Sequence, residues 1–195
     1  MLDVIYYVAS SLDGYIATVE GGVDWLDRVH TSDEDHGAEK LYASIDALLL
    51  GSHTYEFALQ LGQWPTPDKP SWVFTKRDLR ILHPSITLTS QSPSEIVDDL
   101  TKRGFRKAWL MGGGKLAASF HGDGLISKYI IAVFPVLLGS GIPFLATHTC
   151  PQETLSFVSA ESFKSGIVQL TYEQAKKRAS GPVKKIKPNV GSASA

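Results

Sequence analysis

Two short glycine-containing segments, about 60 residues apart, each follow an apolar run and precede a helical pattern. The first segment is Leu-Gly-Ser-His-Thr-Tyr-Glu at residues 50–56, and the second is Leu-Met-Gly-Gly-Gly-Lys-Leu at residues 110–116. A strand that ends at glycine and turns into a helix leaves backbone N–H groups free at the helix N-terminus, where they can bind a phosphate. Two such termini on one sheet can hold one diphosphate from both sides. The pattern therefore predicts a dinucleotide cofactor and redox chemistry.

The rest of the chain continues this alternation of apolar runs and helical patterns. Strands are predicted at residues 4–9, 47–50, 71–74, 86–88, 107–111 and 126–137. Helices are predicted at residues 38–43, 54–61, 94–103 and 115–121, the third with Ser92 as its cap and Pro93 as its first residue. Residues 155–163 and 167–172 predict a hairpin around Ser165 and Gly166. An α/β fold follows, with a mostly parallel sheet and antiparallel strands at its C-terminal edge.

Length and composition predict one globular domain followed by a basic tail. The chain has 195 residues, of which 43% are hydrophobic and 20% charged. The predicted domain is residues 1–173. Residues 174–195 contain six Lys or Arg residues and no acid, and they predict a disordered tail. This tail is either a solvated end or a weak tether for anions or nucleic acid.

Charge and cysteine content narrow the class of protein. The net charge of −1 provides no overall attraction to nucleic acid or to an anionic membrane, and no apolar run is long enough to span a bilayer. The single cysteine, Cys150, excludes an internal disulfide and fits a cytoplasmic protein. No metal site is predicted. The expected partner is a small molecule, and neither a membrane nor nucleic acid is expected.

The binding motifs each allow a plainer interpretation when taken alone. The turn at Gly112–Gly114 has neither the Walker spacing nor the Gly-x-Gly-x-x-Gly spacing, and it also fits a tight connection between a strand and a helix. Thr54 can donate to a phosphate or simply cap a helix. Lys76 and Arg77, after the third strand, suit the 2′-phosphate of NADP, although a pair of loop cations is often only solvated. All three motifs follow buried strands, and ligands bind at that edge of an open sheet.

Taken together and in order, these motifs are similar to those of the dihydrofolate reductase-like superfamily. The chain more closely resembles the C-terminal reductase domains of the bifunctional deaminase-reductases of riboflavin biosynthesis. The segments that carry the resemblance are residues 9–17 (Ala-Ser-Ser-Leu-Asp-Gly-Tyr-Ile-Ala), 23–26 (Val-Asp-Trp-Leu), 46–56, 112–116, 135–143 (Pro-Val-Leu-Leu-Gly-Ser-Gly-Ile-Pro) and 165–172. The resemblance implies a three-layer α/β/α fold, NADPH as the hydride donor, a small heterocyclic substrate such as a ribosylaminopyrimidine, and a homodimer.

The resemblance also implies a set of site residues. Those assigned to the cofactor are Ile16, Gly51, Ser52, His53, Thr54, Thr75, Lys76, Arg77, Gly112, Gly113, Gly114, Lys115, Leu116 and Gly139. Residues 51–54 would bind the diphosphate from one side and residues 112–116 from the other. Residues 75–77 would hold the adenosine end of the cofactor. Those assigned to the substrate pocket are Ala9, Asp13, Trp25, Met111 and Ser140. Trp25 is either a lid or ordinary packing, and Asp13 suits a turn beside Gly14 better than catalysis.

Several positions depart from the family pattern. Ser52 stands where dihydrofolate reductases usually carry Arg, so recognition of the 2′-phosphate shifts to Lys76 and Arg77 or the preference for NADPH over NADH weakens. Met111 stands where riboflavin reductases carry Glu, and Ser127-Lys128 replace an Asp-Glu pair. Residues 57–64 lack the Asp-Asp/Asn-Pro-x-Leu segment, and the chain has no zinc deaminase motif. The substrate is therefore left open.

A hydride reductase usually also needs a proton donor. Folate reductases use an acid on the helix after the first long loop, and the nearest match here is Asp33-Glu34-Asp35. Spacing favours Asp35 as the catalytic acid, while the alternative is that these acids only complement the helix dipole. The leading hypothesis is an NADPH-dependent reductase. Its alternatives are a non-catalytic NADP(H)-binding protein and a nucleic-acid binder that acts through the tail.

Overall fold

The structure is a computed structural model that describes residues 1–29, 35–60, 64–146 and 152–175. The strands within these ranges are β1 (Asp3–Ser11), β2 (Tyr15–Ala17), β3 (Ala47–Gly51), β4 (Ser71–Phe74), β5 (Ile86–Thr89), β6 (Lys107–Gly112), β7 (Lys128–Phe134), β8 (Ile142–Pro143), β9 (Leu155–Ser162) and β10 (Val168–Gln174). The helices are α1 (Ala38–Ser44), α2 (Ser52–Gln60), α3 (Pro93–Lys102) and α4 (Gly114–Gly122).

The main sheet has eight strands in the order β5-β4-β3-β6-β1-β7-β10-β9. The six strands from β5 to β7 run parallel to one another. Strands β10 and β9 are antiparallel to their neighbours and complete the C-terminal edge. This arrangement confirms the predicted mostly parallel sheet with antiparallel C-terminal strands.

Helices cover both faces of this sheet. On one face Leu41 of α1 and Tyr55 of α2 pack in a buried cluster with Leu48 of β3. On the other face Ile96 of α3 and Phe120 of α4 pack in a separate cluster that includes tyrosine, leucine and alanine side chains from β1, β3 and β6. Because parallel strands are buried on both sides, their sequences are continuously apolar, as in residues 47–50. The fold is the predicted three-layer α/β/α.

The structure differs from the predicted elements at a few boundaries. Strands β2 and β8 form a small antiparallel sheet in segments expected to be loop, because a three-residue strand paired to a distant one leaves no periodic pattern. Strand β7 stops at Phe134 instead of reaching residue 137, since Pro135 has no N–H for a sheet hydrogen bond. Helix α2 begins at Ser52 rather than Thr54, and β10 extends to Gln174.

Some of the predictions lie outside the described residues. These are the predicted tail beyond residue 175, Cys150, and the acids Asp33 and Glu34. In the described part of the chain, none of the helices has the length and apolar character needed to cross a bilayer.

Candidate active site

The two glycine segments lie side by side at the carboxyl ends of β3 and β6, from which the chain continues to opposite sides of the sheet. Strands β3 and β6 are neighbours, and Leu50 pairs with Gly112 at their carboxyl ends. From β3 the chain runs through α2 to β4 on one side, and from β6 it runs through α4 to β7 on the other. Helices α2 and α4 therefore begin at the same edge on opposite faces. In open α/β sheets this kind of crevice is where ligands bind.

The two glycine bends approach each other closely. A Cβ atom built on Gly51 would lie 3.6 Å from the carbonyl oxygen of Gly112 and 3.7 Å from the nitrogen of Gly113. A Cβ atom built on Gly113 would lie 3.7 Å from Oγ1 of Thr54 and 3.9 Å from Cδ1 of Ile16. Gly112 has a φ of +98°, which favours glycine, and the Gly112–Gly113 peptide is cis. The structure thus brings together residues predicted to grip a diphosphate from both sides.

The two helix N-termini at this crevice have no acidic residue in their first turns, and that of α4 has no side-chain cap. Gly113 precedes α4 and offers no side-chain hydrogen bond, and neither α2 nor α4 has an acidic residue in its first turn. The positive ends of both helix dipoles are therefore not offset by local carboxylates. Ser52, His53 and Lys115 lie in these first turns. Such an arrangement can bind an anion through backbone N–H groups.

A strap formed by residues 137–146 holds the start of α4 in place. The carbonyl oxygen of Pro143 lies so close to Gly114 that a Cβ there would be 2.1 Å away, and the Ala146 N–H donates to the Gly114 carbonyl at 3.1 Å. Gly141 lies equally close to β2, where a Cβ would be 2.2 Å from the Ala17 carbonyl oxygen. Glycine is required at these two positions by packing, in contrast to Gly51 and Gly113.

The side chain of Asp13 ties this strap to the end of β1. Its carboxylate accepts hydrogen bonds from the Gly139 N–H at 2.7 Å and the Leu138 N–H at 3.1 Å, and from the Ser11 hydroxyl at 2.6 Å. These bonds, that from Ser11 above all, hold the pKa of Asp13 below its ordinary value. Asp13 therefore organises the turn that carries Gly139 and Ser140, both exposed. Its predicted contact with substrate stays a prediction.

The predicted adenosine loop follows β4 at the same edge. Gly51 pairs with Phe74, so Thr75 begins the loop beside the start of α2. Together with the end of β5 the loop lines an open cleft of about 300 Å³; the lining residues are Thr75, Lys76, Arg77, Asp78, Leu88, Thr89 and Ser90. The Thr75 N–H donates to the Thr89 carbonyl at 2.8 Å. The lining thus contains the two cations predicted to bind a phosphorylated ribose, Lys76 and Arg77, together with one acid, Asp78.

Arg77 is paired with a carboxylate that the sequence analysis did not single out. Its Nη1 and Nη2 atoms donate to Oε1 and Oε2 of Glu56 at 3.0 and 2.7 Å. The Arg77 guanidinium holds the pKa of Glu56 below its ordinary value. Glu56 lies on α2, one turn after the glycine bend.

The predicted substrate residues on β1 and β6 share the face that carries α1 and α2. Ala9 and Met111 are partly buried against the clusters on this face. Beside them Tyr7 packs on Trp109 with ring centroids 5.7 Å apart, and its hydroxyl donates to the His36 carbonyl at 3.2 Å. Burial, with a smaller contribution from the Asp35 charge, raises the pKa of Tyr7 to about 12. The surface formed by Ala9, Met111 and Tyr7 is therefore apolar, and the Tyr7 hydroxyl stays protonated near neutral pH.

Trp25 lies in the buried cluster at the β7 end of this face. Its side chain is 3% exposed and meets Phe134 edge-on at a centroid distance of 5.4 Å. Within the described ranges its indole Nε1 has no hydrogen-bond partner. Of the two roles expected for Trp25, this geometry matches packing.

Asp35 lies at the start of α1 on the same face. Its exposed carboxylate accepts hydrogen bonds from the Gly37 N–H at 3.1 Å and the Glu39 N–H at 2.9 Å. These two bonds lower the pKa of Asp35. Because a proton donor must hold its proton near neutral pH, the contacts favour the alternative that Asp35 complements the dipole of α1. The catalytic role of Asp35 stays a prediction.

The family model for the RibD C-terminal domain matches residues 3–169 of this chain. The chain belongs to the RibD C-terminal domain family. Among curated proteins it is 33% identical over 172 residues to YwjB, an uncharacterized protein of Bacillus subtilis strain 168, which covers 88% of this chain and 97% of that protein.

Two solved structures have a similar fold. A protein of Shewanella sp. PV-4, provisionally assigned to riboflavin biosynthesis, is 28% identical with a TM-score of 0.82 and covers 90% of this chain and 100% of its own. A diaminohydroxyphosphoribosylaminopyrimidine deaminase/5-amino-6-(5-phosphoribosylamino)uracil reductase of Thermotoga maritima is 16% identical with a TM-score of 0.67, covering 89% of this chain and 57% of its own. The second likeness shows the fold, which is dihydrofolate reductase-like as in RibD structures.

A second depression in this RibD C-terminal domain lies at the opposite edge of the sheet. Its volume is about 320 Å³, and it is lined by residues at the starts of β1, β6 and β7. Lys128 and Glu173 within it pair with each other at 3.1 Å. Because ligands of open α/β sheets bind at the carboxyl ends of the strands, the edge that carries the glycine bends is the better candidate.

The sequence did not single out several residues in or beside the candidate site; they are Glu56, Asp78, Leu88, Thr89, Ser90 and Pro143. For Thr89 and Ser90 a signal was present, since β5 runs parallel to β4 and ends at the same edge. For Glu56 and Pro143 no local signal existed, because their partners depend on how α2 and the strap pack.

Proposed function

We propose that this chain is an NADPH-dependent reductase of a small heterocyclic substrate, related to the 5-amino-6-(5-phosphoribosylamino)uracil reductases of riboflavin biosynthesis. The observation that carries the proposal is the pair of helix N-termini, neither with an acid in its first turn, that meet at the crevice between β3 and β6. Family membership supports it, because RibD reductase domains are generally NADPH-dependent.

The residues at the crevice fit a dinucleotide diphosphate. At Gly51 and Gly113 an added Cβ would make only ordinary van der Waals contacts of 3.6 Å or more, so packing does not require glycine there. Without side chains at these two positions, a ligand can approach the backbone more closely. First-turn N–H groups of α2 and α4 would hold the diphosphate, with the Thr54 hydroxyl and the Lys115 ammonium beside it.

Bound NADPH would supply the hydride. The chain would contribute an apolar wall from Ala9 and Met111, which excludes water from the reacting atoms. Met111 offers no charge, so a heterocyclic substrate would be held at this wall by apolar contact rather than by an ion pair. The loop after β4, with Lys76 and Arg77, would hold the adenosine end.

The first test is the melting temperature with and without nucleotide. At a hundredfold excess over Kd, NADPH should stabilise the fold by about 2.7 kcal/mol. For a chain of this size that is a rise of roughly 5–10 °C. Gly51→Ala should keep the melting temperature of the free protein and lose most of the rise. No shift with either NADPH or NADH would contradict the cofactor assignment.

Reductase activity needs a separate test. Loss of absorbance at 340 nm should occur with at least one member of a panel of pterins, folates and ribosylaminopyrimidines. The Gly51→Ala variant, at the same NADPH concentration, should lose that activity. Turnover that survives this substitution unchanged would place the reaction elsewhere in the molecule.

A second candidate function is that of a non-catalytic NADP(H)-binding protein. The observation that favours it is Asp35, whose carboxylate is engaged by the Gly37 and Glu39 N–H groups. This candidate predicts a melting-temperature rise with NADPH and no turnover on any member of the panel.

The expected homodimer is part of the proposal. Strand β9 is an outer strand of the sheet, and Phe157 and Val158 on it are 63% and 47% exposed. An exposed strand edge can pair with the same edge of a second copy around a two-fold axis. Light scattering should give a dimer mass, and Val158→Lys should shift it toward the monomer. A monomer mass for the unaltered chain would remove this part of the proposal.

A further inference from the structure

Arg77, one of the two cations predicted to bind a 2′-phosphate, is already paired within the protein. Two parallel N–H···O bonds join Arg77 to Glu56, with the shorter at 2.7 Å. A guanidinium binds a phosphate through this same two-pronged geometry. The phosphate of a nucleotide and the carboxylate of Glu56 would therefore compete for the same two nitrogen atoms of Arg77.

Charges around the cleft give no net preference for a phosphate. Lys76 and Arg77 provide two positive charges, and Asp78 in the same lining provides a negative one. Glu56, which approaches from α2, supplies a second negative charge. His53, one turn before Glu56, is the remaining titratable group whose charge acts on this carboxylate.

The Arg77–Glu56 pair is accessible to solvent and can be opened. The two side chains are 50% and 38% exposed, so exchange of a carboxylate for a phosphate does not require unpacking of the core. Exposed ion pairs contribute little to stability, so a bound ligand can displace the carboxylate.

We infer that Glu56 determines nucleotide specificity: it competes with the 2′-phosphate for Arg77 and so lowers the preference for NADPH over NADH. The inference rests on the proposed function, since it needs the nucleotide in this cleft. Ser52 stands where dihydrofolate reductases usually carry Arg, so it provides no cation. With Arg77 engaged by Glu56, Lys76 is left as the main cation for 2′-phosphate recognition.

The experiment measures the Kd of the full chain for two adenosine fragments, 2′,5′-ADP and 5′-ADP, by titration calorimetry. Glu56→Gln keeps the size of the side chain and removes its charge. This variant should bind 2′,5′-ADP up to about fivefold tighter and leave the Kd for 5′-ADP unchanged. In an Arg77→Ala background the same substitution should produce no gain, because the competition acts through Arg77.

Asp99→Asn is the matched control. Asp99 pairs with Arg103 on α3 at 3.3 Å, and its side chain and that of Arg103 are 50% and 51% exposed. The control removes one carboxylate from an arginine pair of similar exposure at a distance from the cleft. It should change neither Kd, so a gain with both variants would reflect net charge alone and overturn the inference.

The other outcomes are also decisive. An equal change for both fragments, or weaker binding of 2′,5′-ADP by Glu56→Gln, would mean that Glu56 positions Arg77 instead of competing with the ligand, and would overturn the inference. Absence of binding of both fragments to both the unaltered chain and the variant would instead overturn the proposed cofactor, and the inference with it.

Discussion

Helices α3 and α4 pack on the same face of the sheet and have nearly the same length, yet they begin in opposite ways. At the start of α3 the Ser92 hydroxyl accepts from the Glu95 N–H, and the Glu95 carboxylate accepts from the Ser92 N–H at 2.8 Å. At the start of α4 Gly113 provides no side chain, and the first turn contains Lys115 in place of an acid. The first helix closes its own N-terminus, whereas the second leaves it open.

The helices on the other face repeat this contrast. Asp35 and Glu39 lie at the start of α1, whereas α2 has no acid in its first turn. The ends without a first-turn acid, here called open, are the two at the crevice between β3 and β6, and the ends with acids lie elsewhere. Because free N–H groups at a helix end are satisfied by caps, water or a ligand, the open pair marks the place where a ligand would supply the partner.

The largest expected effect comes from disturbing the strap that positions the open end of α4. Gly114→Ala would place a Cβ 2.1 Å from the Pro143 carbonyl oxygen and 3.1 Å from Ala146 Cβ. Such overpacking should lower the free energy of unfolding by roughly 2–3 kcal/mol, measured by urea denaturation. Gly122→Ala, in the same helix, is the control because a Cβ there would meet nothing within 4 Å. Equal losses in both variants would contradict the close contact.

The next effect separates binding from folding. Lys115→Glu places an acid in the first turn of α4, as in α3, so the fold should be as stable as before or slightly more stable. The same charge would repel a diphosphate, and the Kd for NADPH should rise roughly tenfold. Lys102→Glu, in the last turn of α3, makes the same change in net charge and should leave that Kd unchanged. NADPH affinity that resists Lys115→Glu would argue against a ligand at this helix end.

At the capped N-terminus of α3 a substitution should change stability and leave NADPH affinity unchanged, the reverse of the result expected for Lys115→Glu. Ser92→Ala removes the N-cap and should lower the free energy of unfolding by about 1 kcal/mol without any change in NADPH affinity. Bonds from the Ser92 N–H and hydroxyl lower the pKa of Glu95, so its stabilising contribution is complete above the unfolded-state pKa of about 4.3. That contribution should be lost as the pH falls through the lower folded-state pKa. Acid titration of the unfolding free energy checks this sign.

Much of the fold could be predicted because the residues that set it act locally. The apolar run at residues 47–50 and the glycine that ends it mark both the strand and the start of α2. Ser92 and Pro93 mark the start of α3 in the same way. The contacts across 125 residues from Asp13 to Leu138, and the pairing of β2 with β8, leave no such local signal.

The candidate site likewise has a part with a local sequence signal and a part that depends on long-range packing. Its backbone part, Gly51 and Gly112–Gly114, could be predicted because glycine itself is the signal for a bend that approaches another backbone. The pairing of its side chains could not, because the partner of Arg77 depends on how α2 lies on the sheet. For the same reason the spacing that pointed to Asp35 did not reveal which groups its carboxylate meets.

The smallest effect concerns Asp35, where the closed end of α1 and the predicted catalytic acid coincide. As a cap, Asp35→Ala should lower the melting temperature by about 2 °C at pH 7 and leave kcat and NADPH affinity unchanged. Because bonds from the Gly37 and Glu39 N–H groups lower the pKa of Asp35, the difference from the unaltered chain should vanish as the pH falls below about 3.9 and through the folded-state pKa. A proton donor would behave differently: its loss should reduce kcat by roughly a hundredfold or more with little change in stability. Since the exposed carboxylate is held ionised near neutral pH, we expect the first result, and a hundredfold fall in kcat would return Asp35 to the reaction.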